Sequence, residues 1–179
     1  MAIKRRQLLE LAAIPIIFLV VWLAIKWYRM PSVSTGTAAP TFSGQLVNGD
    51  SLLLEDLRGQ WVLLDFWGSW CGPCREANKE LVQLYKNYKE ADFKDAKGFT
   101  ILSVGIETNK NAWLRAIQQD GLIWPHHVSD LNRLKDHVAI LYGIKEIPTS
   151  ILIDPQGNIR AVNMDFNGLN AMLSKELED

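Results

Sequence analysis

At 179 residues, 48% hydrophobic and 22% charged, the chain has the makeup of one globular domain with an appendage. Its charges are unevenly divided: residues 31–179 carry 14 basic and 19 acidic side chains, with no basic cluster, which argues against nucleic acid as a partner. Only two cysteines are present, too few for a four-cysteine zinc site or a disulfide-stapled framework.

The first 30 residues read as a membrane anchor. Lys4-Arg5-Arg6 precede an apolar run from Leu11 to Ile25, extendable back to Leu8. Eighteen helical residues at ~1.5 Å each reach about 27 Å, adequate for a bilayer core. Trp22, Trp27 and Tyr28 gather at the far end, as in an interfacial aromatic belt. A buried helix is rarely apolar on every face. A cleavable signal peptide wants a small-residue site nearby, but Thr37-Ala38-Ala39 lies well beyond Ile25 and is followed by Pro40. An uncleaved single-pass anchor is therefore expected, its basic end cytoplasmic and the rest of the chain extracytoplasmic.

Residues 31–40, small and polar, form a tether, and 41–179 form the folded domain. A strand over Phe42 to Val47 meets Asn48-Gly49, a strong hairpin signal, and Ser51 to Leu54 returns. Trp61 to Phe66 is short and apolar enough for a buried strand. Cys71-Gly72-Pro73-Cys74 follows it, then a helical pattern with Ala77, Leu81, Leu84, Tyr85 and Tyr88 on one face. The cysteines thus stand where a strand hands over to a helix. A helix beginning at Cys71 aims unpaired N–H groups and its positive dipole end at that sulfur, favouring thiolate over thiol. Pro73 suits a first helical turn and Gly72 a tight bend beside the sulfur. Cys74 lies one turn on, inward, within bonding reach. One accessible nucleophilic thiolate and one shielded resolving thiol are what dithiol–disulfide exchange needs. Covalent haem attachment would need His where Arg75 stands.

Downstream, the charged stretch from Lys89 to Gly98 extends the helix before a loop, and Thr100 to Ile106 has a buried-strand pattern. Asn111 to Gln119 is helical with Trp113, Ala116 and Ile117 inward, closed by Gly121. Arg133 to Tyr142 makes a short helix ending at Gly143. Ser150 to Ile153 and Asn158 to Val162 flank the turn Asp154-Pro155-Gln156-Gly157. A last helix, capped by Asn167, turns Leu169, Met172, Leu173 and Leu177 inward. The order βαβαββα is an α/β sandwich with a preceding hairpin. His126, His127 and His137 form no metal-ligand pattern: adjacent histidines face opposite sides of a strand, and these read as loop and surface.

Trp70-Cys71-Gly72-Pro73-Cys74 is identical to the thioredoxin active-site motif. Asp65-Phe66-Trp67 resembles the thioredoxin segment whose buried aspartate stands six residues before the first cysteine. Ile147-Pro148-Thr149 is similar to the segment that carries a cis-proline facing the cysteines. The resemblance spans about Thr41 to Glu178. The anchor and the early hairpin resemble the membrane-tethered TlpA-like branch, whose members work outside the cytoplasm, often as reductases supporting cytochrome c maturation. It implies a thioredoxin fold with a central mixed sheet and a membrane-tethered thiol–disulfide oxidoreductase. It further implies disulfide-containing protein substrates, an electron donor in the membrane or outside the cytoplasm, and no cofactor.

Within that resemblance Cys71 is the nucleophile and Cys74 the resolving thiol. Asp65, costly as a buried charge, is a carboxyl of raised pKa that takes the proton of Cys74; its bland reading is a hydrogen-bonded or wet polar residue at a strand end. Trp70, Gly72, Pro73, Ile147, Pro148 and Thr149 would form the substrate contact surface, the backbone before a cis-Pro148 pairing with an extended chain. Glu107 resembles an acidic modulator of TlpA-like sites, against a plain reading as a solvated loop residue. Two other classes remain: a copper-delivery module, which typically carries C-x-x-x-C and a distal histidine, and a peroxidase, which would want Thr where Gly68 stands.

Overall fold

The computed structural model describes the backbone of residues 5–178 and the side chains of residues 14–178. The chain divides into two units, Met1–Met30 and Pro31–Asp179. The first holds helix α1 (Arg5–Arg29). Along it, apolar side chains including Ile14, Phe18, Trp22 and Ile25 are exposed. Among the described residues no helix is long and apolar enough to cross a membrane. The span expected over Leu8 to Ile25 falls in part on side chains outside those described.

The second unit opens with the hairpin β1 (Ser43–Gln45) and β2 (Ser51–Leu53), paired antiparallel with Ser43 opposite Leu53. Gly49 takes φ +95°, which the turn requires and a side chain would resist. The Asn48 side chain accepts from Asp50 N at 3.1 Å, closing the turn locally. There follow β3 (Trp61–Trp67), α2 (Gly72–Tyr88), β4 (Phe99–Gly105), α3 (Lys110–Asp120) and β5 (His126–Val128). Then come α4 (His137–Leu141), β6 (Thr149–Ile153), β7 (Ile159–Val162) and α5 (Phe166–Lys175).

The five-stranded sheet has the order β5-β4-β3-β6-β7. β4 runs parallel to β3 and β5 to β4, whereas β6 and β7 are antiparallel to their neighbours. β3 is therefore central, and all seven of its residues are buried, as a strand covered on both faces must be. Val62, Leu64 and Phe66 turn to one face, packed with Phe42, Val138 and Tyr142. Trp61, Leu63 and Trp67 turn to the other, packed with Leu81 and Leu84 of α2, Trp113 of α3 and Leu173 of α5. Asp65 shares this second face by the two-residue period.

Several expected boundaries shift for local reasons. α2 ends at Tyr88 rather than running on toward Gly98, because Phe93 leaves the helix to be buried and bridge-pairs with Ala96 and Leu177. The segment expected as one helix from Arg133 is a 3₁₀ turn (Arg133–Lys135) and then α4. Asp136 divides them by accepting from Val138 N and Ala139 N, which makes it an N-cap. α5 is capped by Asp165, which accepts from Gly168 N at 2.7 Å, not by Asn167. β5 was not expected at all: three residues beginning with two histidines carry no apolar signal. His127 is buried there, stacked on Trp124 with ring centroids 5.7 Å apart, and His126 is half-buried, so neither is the surface residue its polarity implied. Burial lowers the His127 pKa to about 4.

Candidate active site

The site sits at the carboxyl end of β3, where the central strand passes into α2. Such strand ends are where open α/β sheets place their ligands. Cys71 is the N-cap of α2, and its Sγ accepts from Cys74 N at 3.2 Å. Pro73 lies in the first turn, where its missing N–H costs nothing. The two sulfurs are joined in a disulfide. Cys71 keeps 6% of its surface exposed and Cys74 none. The asymmetry is the expected one, but Cys71 is less open than its role suggested, since Trp67 and Ile147 pack in the same apolar cluster. Gly72 does not serve a tight bend: a Cβ there would meet nothing within 4 Å.

The Ile147–Pro148 bond is cis. It presents the Ile147 carbonyl oxygen 3.9 Å from Cys71 Sγ. Thr149 Oγ1 donates to Glu146 O at 2.8 Å, closing the bend before β6. Pro148 is exposed and Ile147 half-buried, so the backbone beside the sulfurs is edged by apolar surface.

On the other side, Trp70 is 52% exposed, yet its indole is fixed: Nε1 donates to Ile106 O at 2.9 Å. Gly68 makes room for that ring, because a Cβ at position 68 would lie 2.8 Å from Trp70 Nε1. Glu107 is not a solvated loop residue; it is 2% exposed and its Oε1 accepts from Ser69 N. It thereby holds the Gly68–Trp70 turn against the end of β4. Arg75 forms a bidentate pair with Asp120 at the end of α3, and Asn78 donates to the same carboxylate at 2.7 Å. Its charge is therefore committed to tying α2 to α3 rather than to a sulfur.

Asp65 is 3% exposed, and among the described residues its Oδ2 has no hydrogen-bond partner. Burial pushes its pKa up to about 7, against a smaller opposing effect of the Ser103 hydroxyl. Ser103 faces Asp65 across the β3–β4 pair. Its Oγ accepts from Trp124 Nε1 at 3.0 Å, which leaves the hydroxyl proton for the carboxyl. Asp65 also lines a pocket of about 230 Å³ together with Ala77, Leu81 and Pro148. That recess opens one turn of α2 beyond Cys74.

The AhpC/TSA family pattern matches residues 35–162. The chain belongs to the AhpC/TSA family. Among the family's thioredoxin-fold relatives, thiol-disulfide oxidoreductase ResA of Bacillus subtilis is 33% identical over 128 residues. That match covers 72% of this chain and 66% of the relative, just short of two thirds of its length. The thioredoxin domain of a thiol-disulfide oxidoreductase from Bacteroides vulgatus superposes with a TM-score of 0.71 at 32% identity. It is matched over its whole length and covers 82% of this chain. A thiol-disulfide oxidoreductase from Bacteroides fragilis gives 0.69 at 36% identity, covering 79% of this chain and 100% of its own. The central mixed sheet and flanking helices are thus the thioredoxin fold.

At the carboxyl end of β3 the structure sets Cys71 at the N-terminus of α2 and groups the remaining site residues around it. The sequence located Cys71, Cys74, Asp65 and Pro148, and the fold brings all four to one end of the sheet. It did not point to Ser103, Asp120 or Trp124. Ser103 was findable, since a hydroxyl inside an apolar strand raises the same question as Asp65. Asp120 carried no local signal, because its partners lie more than 40 residues away.

Proposed function

We propose that this chain is a thiol–disulfide oxidoreductase that reduces disulfides of extracytoplasmic proteins through Cys71 and Cys74. The observation that carries the reading is Cys71 as N-cap of α2, bonded to a fully shielded Cys74 and facing the carbonyl before Pro148. The Cys71 thiolate attacks one sulfur of a substrate disulfide, forming a mixed disulfide and expelling the first substrate thiolate. Cys74 gives its proton to Asp65 and attacks the Cys71 sulfur. The second substrate thiolate leaves, and the protein keeps the Cys71–Cys74 bond. Two electrons have passed to the substrate, and a dithiol donor must return them. Trp70, Ile147 and Pro148 line the approach to the sulfur and seat the substrate chain, whereas Thr149, expected to join them, is buried with its hydroxyl on Glu146 O and shapes the bend instead. Gly72 and Pro73, both exposed, form the outer edge of that approach.

The reading extends to the membrane. Basic residues 4–6 precede a helix whose apolar side chains from Ile14 onward are exposed on all sides, which supports an anchor with the domain outside the cytoplasm. A reporter fused to the C-terminus should be active only outside the cytoplasm. Support of cytochrome c maturation follows from the TlpA-like resemblance and predicts loss of holocytochrome in a deletion strain. Neither other class gains from the structure. Among the described residues the group suited to sharing a metal is Asp130, Asp136 and His137, which includes no cysteine. A threonine at position 68 would strike the Trp70 indole.

The decisive experiment is insulin reduction with dithiothreitol as donor, together with alkylation of Cys71 against pH. Catalysis and a Cys71 pKa well below 8.5 are expected. A Cys71 that titrates like free cysteine and leaves insulin intact would sink the proposal. The potential should lie near thioredoxin's, roughly −270 mV, rather than the roughly −120 mV of a strong oxidant.

A further inference from the structure

A second recess, sharing no residue with the one beside Asp65, opens at Trp70. It has a volume of about 470 Å³. Its apolar surface comes from Trp70, Leu131 and Leu134, and its charged surface from Arg133 and Lys135. Trp70 and Leu134 are 52% and 40% exposed, so the surface is open to a partner. No carboxylate among the described residues lines it. Among the described residues neither Arg133 nor Lys135 takes part in an ion pair. This is a local reversal of sign in a unit whose 19 acidic side chains outnumber its 14 basic ones.

The walls are held in place before any ligand arrives. Trp70 Nε1 is bonded to Ile106 O at 2.9 Å, and Arg133 N donates to Glu107 O at 3.0 Å. The Arg133 guanidinium stands 5.0 Å from the centre of the Trp70 ring. Aromatic and apolar surface edged by cations that take part in no ion pair among the described residues recognises an apolar side chain flanked by carboxylates. Trp70 precedes the sulfur that attacks the substrate, so chain lying on this recess is the chain next to the disulfide under attack.

We propose that the recess seats the stretch of protein substrate flanking the reduced disulfide, and that this stretch is acidic with an apolar or aromatic anchor. The assignment rests on the oxidoreductase reading above and adds the substrate class to it. Trp70 and Leu134 take the apolar anchor, while Arg133 and Lys135 take the carboxylates and speed encounter.

The test uses the reduced full-length protein and two synthetic peptides with the same intrachain disulfide and the same neighbouring Phe. One is flanked by Asp and Glu, the other by Lys. Wild type should show a kcat/KM for the acidic peptide higher on the order of fivefold, a preference that shrinks in high salt. The double variant Arg133→Glu/Lys135→Glu should invert the preference, and its gain on the basic peptide shows that it is folded. Equal rates on both peptides in wild type, or a preference that survives the double reversal, would overturn the assignment. Hydroxyethyl disulfide, small and uncharged, separates the two failures in wild type. If it and both peptides go unreduced, the oxidoreductase reading is lost; if all are reduced without preference, only the recess assignment is.

Discussion

Replacing Asp65 by Asn tests the buried carboxyl through stability as well as rate. The carboxyl moves from its usual 3.8 to about 7 on folding, because burial disfavours the charge and Oδ2 finds no partner. The folded state therefore holds this proton more tightly than the unfolded state does. Stability owed to it is complete below pH 3.8 and falls as pH rises to about 7, with no further loss above. Across that window the loss is roughly 4 kcal/mol at 1.36 kcal/mol per pH unit. Asn is neutral throughout and carries no such slope. The advantage of Asp65→Asn over wild type should grow by about 2–3 kcal/mol between pH 5 and pH 8.5. Urea unfolding of the oxidised full-length proteins at those two pH values reads it directly. Parallel stability–pH curves would refute the reasoning, for they would mean the carboxyl is solvated or already paired. Should the slope appear, mixed-disulfide release in Asp65→Asn should also be slow, with alkylation of Cys71 almost unchanged.

Three further outcomes follow from single contacts. His137 donates to Asp130 Oδ2 at 2.5 Å and to Ser43 O at 2.8 Å, both acceptors, so only the imidazolium makes both bonds. Burial lowers its pKa, but Asp130 and Ser43 outweigh that and the net shift is upward. Its contribution is therefore complete below 6.5 and lost as pH rises through the folded value. His137→Ala should cost under about 1 kcal/mol at pH 5.5, given the exposure of the pair, and less at pH 9, by urea unfolding. Asp120→Ala strands Arg75 and Asn78 and should cost about 1–3 kcal/mol in the same assay. Gly105→Ala places a Cβ 2.7 Å from the Trp113 indole, and the overpacking should cost about 1–3 kcal/mol, with a change in tryptophan fluorescence.

Where chemistry and local pattern coincide, the sequence was enough. Trp61 to Phe66 is short and apolar enough to be a buried strand, and Pro73 fits the first turn of the helix that Cys71 caps. From those two elements the place of the site follows. Asn48-Gly49 set its hairpin because one glycine had to take a positive φ. The errors have a common origin, which is competition settled by distant residues. Asn167 and Asp165 are both good caps, and the side chain that reaches Gly168 N wins. Arg133 to Tyr142 has continuous helical propensity, but Asp136 binds two backbone N–H groups and splits it. The strand at His126 is paid for by pairing with β4 and by stacking on Trp124, neither of which its own residues announce.

Asp65 and Glu107 are both buried carboxylates near the site end of β3, and their surroundings assign them unlike work. Glu107 commits an oxygen to Ser69 N, so its energy goes into the shape of the turn that carries Trp70 and Cys71. Asp65 has only the Ser103 hydroxyl to lean on and one oxygen with no partner, so its energy stays in the proton. A carboxylate held by a backbone donor fixes the loop it binds. One left unpartnered at the edge of a pocket, with a pKa near neutrality, can gain and lose a proton within each catalytic cycle. Since both residues are acidic and buried, charge alone does not distinguish them. Their hydrogen-bond partners do, and those follow from Asp65 lying within β3 and Glu107 in the loop just after β4.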